Sequence, residues 1–583
     1  MSSHRRALPL RLVQRFPGDR RSRTLNQRRR PRRAKIRVGV RSPLDRSDVR
    51  LLALALPAGI FFFFFLGSLW PLAPVDVNRR KPALEAEARA FLAGQGISLE
   101  GYAAASSLRV DEDLLEYLQR SFGMERAREE IARSAAYRYF LQFKKRGDPD
   151  WFYASIDPNG GIAGWGRTLQ DDTPGASLAE QAALALAGGA AAEMGVDLTQ
   201  WERRGSGTTE RPARRDHRFI WEREISEDPE LRERLWIDVG GAEVVAIDRR
   251  LVVPDSAGRD ARRRRAPTIA LQVTGALLVA VAGLAALVVF LTRLSRGGIA
   301  LRPAATLVAV IGLSFLLIQA LRPAELLREW DPLWPRWIAS FQSLALSAAG
   351  GAWVAFALFV VVAAGDALDR ESGARRGASL WTAARGKLID PTVGRASIRG
   401  FLVGLLSGAA LTTAVLGLER FAGGWTPIQP QGFFFYALNS SAPAISTLVF
   451  FLMVALVEEL GYRFFAGTWL MDLTHRRWIA ILVPAILYGA THTGLRFLPP
   501  GDPFWGRAFA LTLVGCVWGW AFFRFDALTV VLSHFTADLF IFNWPRLASG
   551  DPDLVLRAAL TILVPLLPGI LWMLKAEVRR QKA

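Results

Sequence analysis

The sequence predicts an all-α polytopic membrane protein of about ten spans, with a soluble α+β domain inserted after the first span. Several runs of about 20 residues are apolar and almost free of charge, although 22% of the 583 residues are charged. One long polar stretch, 76–266, instead contains short alternating apolar runs separated by glycine turns. Apolar residues make up 51% of the chain, which excludes a mostly disordered protein.

Residues 1–50 form a basic segment that we expect to be a disordered cytoplasmic tail. This segment contains 17 Lys and Arg against 3 Asp, a net charge of +14, so the rest of the chain carries only +6 of the total +20. Such a charge run could contact anionic lipid or nucleic acid. The simpler interpretations are a tail that fixes the topology or a translation start placed too far upstream. We therefore expect the lipid bilayer, and no nucleic acid, as a partner.

The predicted spans fall into three groups. The first span is 51–74, with five phenylalanines at its centre. Accessory spans occupy 268–397, and a C-terminal domain occupies 398–575. The individual spans after the soluble domain are predicted near 268–292, 301–321, 338–365, 398–418, 444–472, 477–494, 507–524, 527–542 and 555–575.

The basic residues of the short loops predict the orientation. Loop 366–399 holds seven Lys and Arg, whereas loop 419–430 holds only Arg420. The positive-inside rule then places 366–399 and both termini in the cytoplasm, and 76–266 outside a bacterial-type plasma membrane. The arginines at 259 and 262–265 violate this rule, but long translocated domains obey it weakly.

The polar domain 76–266 is predicted to contain two helix-plus-hairpin units, a tandem repeat in which Asp157 and Asp238 occupy equivalent positions. Gly-containing turns separate the apolar runs, as in hairpins. This pattern resembles PepSY-type modules, which usually regulate or bind peptides. The alternative is a packing module with no ligand. The predicted strands are 137–145, 151–157, 162–169, 218–226, 235–238 and 242–253, and the predicted helices lie near 83–97, 112–134 and 177–195.

Ionisable side chains inside the C-terminal spans are the candidates for chemistry. A charged side chain at the centre of a spanning helix costs about 2.5–3.5 kcal/mol on insertion scales, so such residues are functional candidates by default. Of the four predicted spans from 444–472 to 527–542, three carry such residues. The candidates are Glu458, Glu459, Arg463, His492, His534 and Asp538.

The spacing of these residues indicates one shared site. Glu459 and Arg463 are one helical turn apart and can pair, while Glu458 points about 100° away. Glu458 and His492 lie about equally far from the turn between their helices and should meet at one depth. His534 lies nearer to its own turn, so it reaches the others only if its helix tilts or the loop differs from the predicted one. Asp538, one turn from His534, could orient the imidazole or add a ligand.

Three motifs in these spans resemble those of the CPBP family, the intramembrane CAAX-prenyl-protease-like and bacteriocin-processing (Abi) proteins. The family pattern is EExxxR, FxxxH and Hxxx(N/D) on successive helices, and the resemblance covers roughly 400–545. It implies an all-helical core with a site inside the bilayer that opens to the cytoplasm. Tyr488 replaces the common Phe, and Asp538 adds a charge where Asn is common. The motifs read Glu458-Glu459-Leu460-Gly461-Tyr462-Arg463, Tyr488-Gly489-Ala490-Thr491-His492 and His534-Phe535-Thr536-Ala537-Asp538.

The resemblance and the residue types together indicate an intramembrane endopeptidase for a membrane-anchored or lipid-modified substrate. Glu458 is the expected general base, and His492 shares the water or donates to the leaving amine. His534, oriented by Asp538, is expected to donate to the oxyanion. The Glu459–Arg463 pair is expected to hold its helix.

A zinc site is the alternative for the same residues. Glu458, His492 and His534 are the side-chain types of a catalytic zinc set with an open position, while the single cysteine, Cys516, excludes a cysteine-based site. Zinc and a metal-free site both stay open at this stage.

Other functions could also use a buried polar cluster. A transporter could use it as an ion path, but transporters often show repeated halves, and no repeat among these spans is convincing. A catalytically silent immunity or scaffold protein could keep the fold alone. The substrate, its prenylation and the oligomeric state stay open.

Overall fold

The computed structural model describes residues 44–69, 79–133, 136–158, 160–224, 231–424, 440–493 and 503–581. Most of the predicted tail, 1–50, lies outside them. Among the described residues, nine helical segments are long and apolar enough to cross a membrane, so the chain is a multi-pass membrane protein. These segments are Arg46–Leu69, Asp255–Ser295, Leu301–Ala320, Arg336–Glu371, Pro391–Ala422, Pro443–Thr474, Gly506–Arg524, Ala527–Leu547 and Pro552–Gln581.

We number the helices in chain order. The segment Leu460–Gly467 is a π-helix that continues α11 directly into α12. The helices are α1 Arg46–Phe65, α2 Lys81–Gly94, α3 Glu112–Arg133, α4 Glu180–Glu193, α5 Asp255–Ser295, α6 Leu301–Ala320, α7 Pro323–Glu329, α8 Arg336–Glu371, α9 Ala378–Ala384, α10 Pro391–Ala422, α11 Pro443–Glu459, α12 Thr468–Thr474, α13 Arg477–Thr491, α14 Gly506–Arg524, α15 Ala527–Leu547, α16 Pro552–Leu563 and α17 Leu567–Gln581.

The predicted span 477–494 differs from the others. Its helix, α13, has only 15 residues, fewer than the about 20 that cross a bilayer. The predicted count of ten spans is therefore confirmed for nine. The helix ends where the site begins, because its C-cap residue is His492.

Helix α1 begins earlier than the sequence predicted, inside the segment assigned to the tail. The Asp45 carboxylate accepts from the backbone N of Asp48 at 3.0 Å, and the Asp48 carboxylate accepts from the backbone N of Asp45 at 2.9 Å. This capping box starts the helix at Arg46. Arg399 of α10 donates its Nε to Asp48 Oδ1 at 2.5 Å, which anchors the start of α1 to the membrane core.

Helix α5 also begins well before its predicted span. It is continuous from Asp255 to Ser295, so the arginines that violate the positive-inside rule are part of it. Arg265 donates its Nη2 to Asp113 Oδ1 at 3.0 Å and to Glu116 Oε2 at 2.9 Å. Arg265, together with Arg264 at 3.7 Å from Glu116 Oε1, therefore pairs with acidic side chains of the soluble domain.

The soluble domain is built on one eight-stranded antiparallel sheet, which confirms the predicted α+β class. The strand order is β1-β2-β3-β4-β8-β7-β6-β5, so two four-stranded meanders meet where β4 pairs with β8. The likeness of these meanders to PepSY modules stays a prediction. The strands are β1 Ala103–Val110, β2 Tyr137–Lys144, β3 Trp151–Ile156, β4 Ile162–Thr168, β5 Glu202–Arg211, β6 Arg214–Glu224, β7 Arg232–Gly240 and β8 Glu243–Val252.

The sequence did not predict the two edge strands, β1 and β5. Strand β5 is polar and exposed along nearly its whole length, so it has no alternating apolar face to detect. Strand β1 contains three consecutive alanines, which are depleted in strands. Pairing with β2 and β6 holds both segments extended in spite of their composition.

The soluble domain is attached to the membrane core through the end of α7. Buried Lys144 of β2 donates its Nζ to the carbonyl oxygens of Arg328 and Trp330, at 3.0 and 2.7 Å. These carbonyls lie at the C-terminal end of α7, where a cation is favourable. The backbone N of Gly147 adds a bond of 2.9 Å to Pro332 O.

Candidate active site

Three helices bring Glu458 and the two predicted histidines together. Glu458 Oε1 lies 3.2 Å from His492 Nε2, and Glu458 Oε2 lies 3.8 Å from His534 Nε2. Helix α15 therefore carries His534 to the depth of the other two, as the shared-site interpretation requires. The side chains of Glu458 and His492 are 19% and 15% exposed, whereas His534 is 3% exposed. Glu458 and His492, together with Asp538 at 16% exposed, are thus the groups that a substrate could reach.

Glu459 links two of the other predicted residues. Its Oε1 accepts from Arg463 Nη1 at 3.0 Å and lies 2.8 Å from His534 Nδ1. Arg463 is buried, and its Nη2 donates to Gly515 O at 3.5 Å. The predicted Glu459–Arg463 pair is present, and its carboxylate also positions a histidine. The sequence had assigned that positioning to Asp538 alone.

Asp538 lies on the other side of the His534 ring. Its Oδ2 is 3.3 Å from His534 Nε2, so the two ring nitrogens face two different carboxylates. An ionised carboxylate only accepts hydrogen bonds, so both ring nitrogens must carry protons for both bonds to form. The arrangement therefore favours the imidazolium form of His534.

The backbone fixes the orientation of His492. Its Nδ1 lies 2.7 Å from Tyr488 O, and a carbonyl oxygen can only accept, so Nδ1 is the donor. The Nε2 atom is left facing Glu458. The Tyr488 ring lies 4.3 Å from the His492 ring, so the Tyr in place of the common Phe still packs on the histidine.

Trp518 of α14 belongs to the site, although the sequence did not single it out. Its ring stacks on His534 with the centroids 4.1 Å apart and an angle of 21° between the planes. The Arg463 guanidinium lies 5.2 Å from the same ring. Trp518 could have been recognised from the sequence because it lies in the middle of a span, whereas membrane tryptophans usually lie at the interfaces.

The packing around the motifs explains how the helices approach. The π-helix begins immediately after Glu459 and contains Arg463, and such segments are frequent at functional sites. A Cβ on Gly404 of α10 would lie 2.7 Å from Thr536 Cβ, so this glycine lets α10 support the His534 helix closely. Gly275 of α5 likewise abuts Thr491, next to His492.

We expect Gly489→Ala to unfold or inactivate the site. Gly489 belongs to the His492 motif, and a Cβ there would lie 2.3 Å from Ala508 O and 2.5 Å from Thr512 Oγ1. Helix α13 must then move away from α14, which shifts His492. Overpacking of this kind typically costs about 1–3 kcal/mol. Thermal melting and peptide cleavage of the purified variant measure the effect.

Gly417→Ala is the matched control for this substitution. Gly417 is a helical glycine of α10 with open space where a Cβ would be placed. Its replacement should keep activity and could add up to about 1 kcal/mol of helix propensity. Equal behaviour of the two variants would contradict the close α13–α14 contact.

The residues do not fit the zinc alternative in this arrangement. No group of three His, Cys, Asp or Glu side chains in the described part of the chain has the geometry to hold a metal ion. His534 faces a carboxylate at each nitrogen, and a doubly protonated imidazole has no lone pair for a metal. The donor chemistry therefore favours proton transfer among these groups.

The comparison with protein families identifies the segment that carries the site. Residues 440–540 match the family described as Rce1-like, type II CAAX prenyl endopeptidase. No curated protein and no solved structure matches the chain. The matched segment contains all six predicted site residues, and it confirms the resemblance to the CAAX-protease family. Residues 440–540 of this chain are therefore similar to the Rce1-like type II CAAX prenyl endopeptidases, a family of proteases.

Proposed function

We propose that the chain is an intramembrane endopeptidase that hydrolyses a peptide bond of a membrane-anchored or lipid-modified substrate. The observation that supports it best is the position of Glu458 between two imidazoles, at 3.2 and 3.8 Å. Its Oε2 is buried and has no hydrogen-bond partner among the described residues. A buried polar atom of this kind is expected to bind water.

Glu458 acts first, as the general base. Its Oε2 accepts a proton from the water, and the resulting hydroxide oxygen attacks the carbonyl carbon of the scissile bond. His492, held through Nδ1 by Tyr488 O, has its Nε2 directed at the same carboxylate and shares the proton. Holding the water and the base together removes much of the entropic barrier.

His534 acts on the oxyanion that the attack creates. Glu459 and Asp538 keep the ring protonated, and Trp518 stacks on it, so the cation is fixed before the reaction. The Nδ1–H stays hydrogen-bonded to Glu459, whereas the Nε2–H, at 3.3 Å from Asp538 Oδ2, is shared with the oxyanion, and the fixed positive charge stabilises the developing negative charge. The C–N bond then breaks, and the proton held by Glu458 and His492 passes to the leaving amine.

We further propose the orientation that the loops indicate. Both termini and the basic loop 366–399 lie in the cytoplasm of a bacterial-type plasma membrane, and the sheet domain lies outside. This orientation requires α13 to complete a tenth crossing, although it is shorter than the other spans. The ion pairs of Arg264 and Arg265 with the α3 acids support this orientation, because they neutralise two of the five arginines that oppose it. The site is proposed to open to the cytoplasm.

A panel of peptides tests the proposed reaction and its substrate class. The purified chain in liposomes is incubated with a transmembrane-anchored peptide, a farnesylated peptide and the same peptide without its prenyl group, and mass spectrometry reads the products. Cleavage of the anchored or farnesylated peptide, with slow or no cleavage of the free one, is the expected result. Cleavage of the free peptide alone would contradict a lipid-embedded substrate.

Chelators should leave the activity unchanged. The donor set around Glu458 favours proton transfer, so treatment with EDTA or 1,10-phenanthroline followed by buffer exchange should reduce the cleavage rate less than twofold. A zinc-dependent peptidase assayed in parallel confirms that the chelators work. If the chelators abolish activity and added zinc restores it, the side chains of the site must rearrange to bind a metal.

A further inference from the structure

The sheet domain contains a cavity that shares no residue with the site in the membrane. The cavity has a volume of about 460 Å³ and lies between one face of the sheet, the start of α3 and the N-terminal part of α5. Four arginines from four different elements line it, namely Arg109, Arg138, Arg250 and Arg265. Side chains this far apart in sequence meet there only because the fold brings them together.

Two of these arginines form an unfavourable pair in the sheet. Arg109 of β1 and Arg138 of β2 are directly opposite each other in the antiparallel register. Like charges at such positions are destabilising, with cross-strand pairs contributing about 0.2–1 kcal/mol. An anion between the two guanidinium groups would turn this repulsion into attraction.

Three of the four guanidinium groups are already fixed by carboxylates. Asp248 Oδ1 accepts from Arg138 Nη1 at 2.7 Å, and Asp248 Oδ2 accepts from Arg250 Nη2 at 2.8 Å. Arg265 is held by Asp113 and Glu116 of α3. The cavity is therefore preorganised, with its cations in place before a ligand arrives.

Arg109 is the cation that is left without a carboxylate. Within the described ranges it has no ion pair, and its guanidinium lies 3.5 Å from the centroid of the Phe140 ring. Glu325 of α7, which acts on Arg109 through its charge, is occupied by Arg322 and Arg328. Desolvation and the charge of Arg328 both lower the pKa of Arg109, which means that its charge is not fully balanced.

The charges of the lining side chains indicate what kind of anion fits. Four arginines and three aspartates line the cavity, which leaves a net charge of +1. A single carboxylate balances this charge, whereas a phosphate group carries about −1.5 to −2 at neutral pH. The guanidinium fork matches a carboxylate, and the part of the Phe140 ring not covered by Arg109 and by the stacked Tyr153 ring offers an apolar edge beside it.

We propose that this cavity, the Arg109 pocket, binds a ligand that carries one carboxylate next to an apolar group. A peptide with an apolar C-terminal residue and a small apolar carboxylic acid both have this chemistry. Arg109 and Arg138 bind the carboxylate, and Phe140 contacts the apolar group. This proposal does not depend on the proposed protease activity, because it concerns other residues in another domain.

Calorimetric titration of the full-length protein in detergent tests the Arg109 pocket. The probes are N-acetylphenylalanine, an acetylated tripeptide with a C-terminal phenylalanine, and the same tripeptide as its C-terminal amide. We expect the tripeptide acid to bind at least tenfold more tightly than its amide. Arg109→Gln should weaken binding of the acid at least tenfold. Arg203→Gln, on the exposed edge strand β5, is the matched control and should bind like wild type.

The other possible results distinguish a small carboxylic acid from a peptide end and show which findings would contradict the proposal. Equal binding of N-acetylphenylalanine and the tripeptide acid supports a small carboxylate, and binding of the tripeptide acid alone supports a peptide end. Inorganic phosphate that displaces the acid at lower concentration would overturn the monoanion assignment. Three results would overturn the proposed carboxylate binding. They are equal affinity for the acid and the amide, unchanged affinity of the Arg109→Gln variant, and no binding of any probe at 10 mM. Arg109→Lys, which keeps the charge, should give intermediate affinity if Arg109→Gln folds poorly.

Discussion

Replacing Glu458 with Gln is expected to abolish peptide cleavage and to leave folding and membrane insertion intact. Gln keeps the size of the side chain and its place beside His492, but it cannot accept a proton from water. Removal of a general base typically costs about 10²–10⁴-fold in rate. Cleavage of the anchored peptide by purified wild type and variant measures this loss, with thermal melting to verify the fold.

Glu577→Gln is the control for the Glu458 variant. Glu577 lies on α17 with its side chain more than half exposed, so its replacement should change neither stability nor rate. Activity of Glu458→Gln within tenfold of wild type would end the general-base assignment. A Glu458→Gln protein that melts much lower than wild type would instead show that Glu458 stabilises the fold through His492.

Arg463→Ala should affect stability more than catalysis. Arg463 and Glu459 are both 2% exposed and 3.0 Å apart, and loss of the guanidinium leaves Glu459 beside His534 as its remaining charged partner among the described residues. Removing one partner of a buried ion pair typically costs about 3–5 kcal/mol. Lower expression and a lower melting temperature in detergent are therefore the expected results.

Two further variants separate the possible causes. Arg476→Ala, at the exposed turn before α13, removes an arginine without a buried partner and should melt like wild type. Arg463→Met combined with Glu459→Gln removes both charges and should recover part of the lost stability. A well-folded but inactive Arg463→Ala protein would show that the arginine works in the reaction itself.

The sequence was sufficient to predict which ionisable residues meet in the site. Charged groups in apolar spans are rare enough to be conspicuous, and the i,i+4 spacing of Glu459 and Arg463 fixed their pairing. The contact of Glu459 with His534 could not be predicted, because it depends on the π-helix after Glu459 and on the approach of α15. Trp518 was missed because an aromatic residue in an apolar span carries no charge to mark it.

In the soluble domain, too, prediction from the sequence succeeded only where the residue pattern carries a signal. Strands with alternating apolar residues were predicted close to their observed bounds. The predicted strand 137–145 is β2, Tyr137–Lys144, and the predicted strand 235–238 is the middle of β7, Arg232–Gly240. The polar edge strand β5 lacks that signal and is held by pairing with β6. The Arg109 pocket depends on strand order and register, which bring Arg138 of β2 and Asp248 of β8 together from opposite ends of the domain sequence.

The most direct test of the proposed protease is one liposome experiment with two readouts. Wild type and Glu458→Gln are reconstituted with the anchored peptide and with an enclosed pH-sensitive dye, so that peptide hydrolysis and ion movement are recorded from the same vesicles. We predict that wild type produces new peptide termini, that Glu458→Gln produces none, and that the two proteins show equal ion leakage. Ion movement that requires Glu458, without hydrolysis of the peptide, would contradict the protease and favour a transporter.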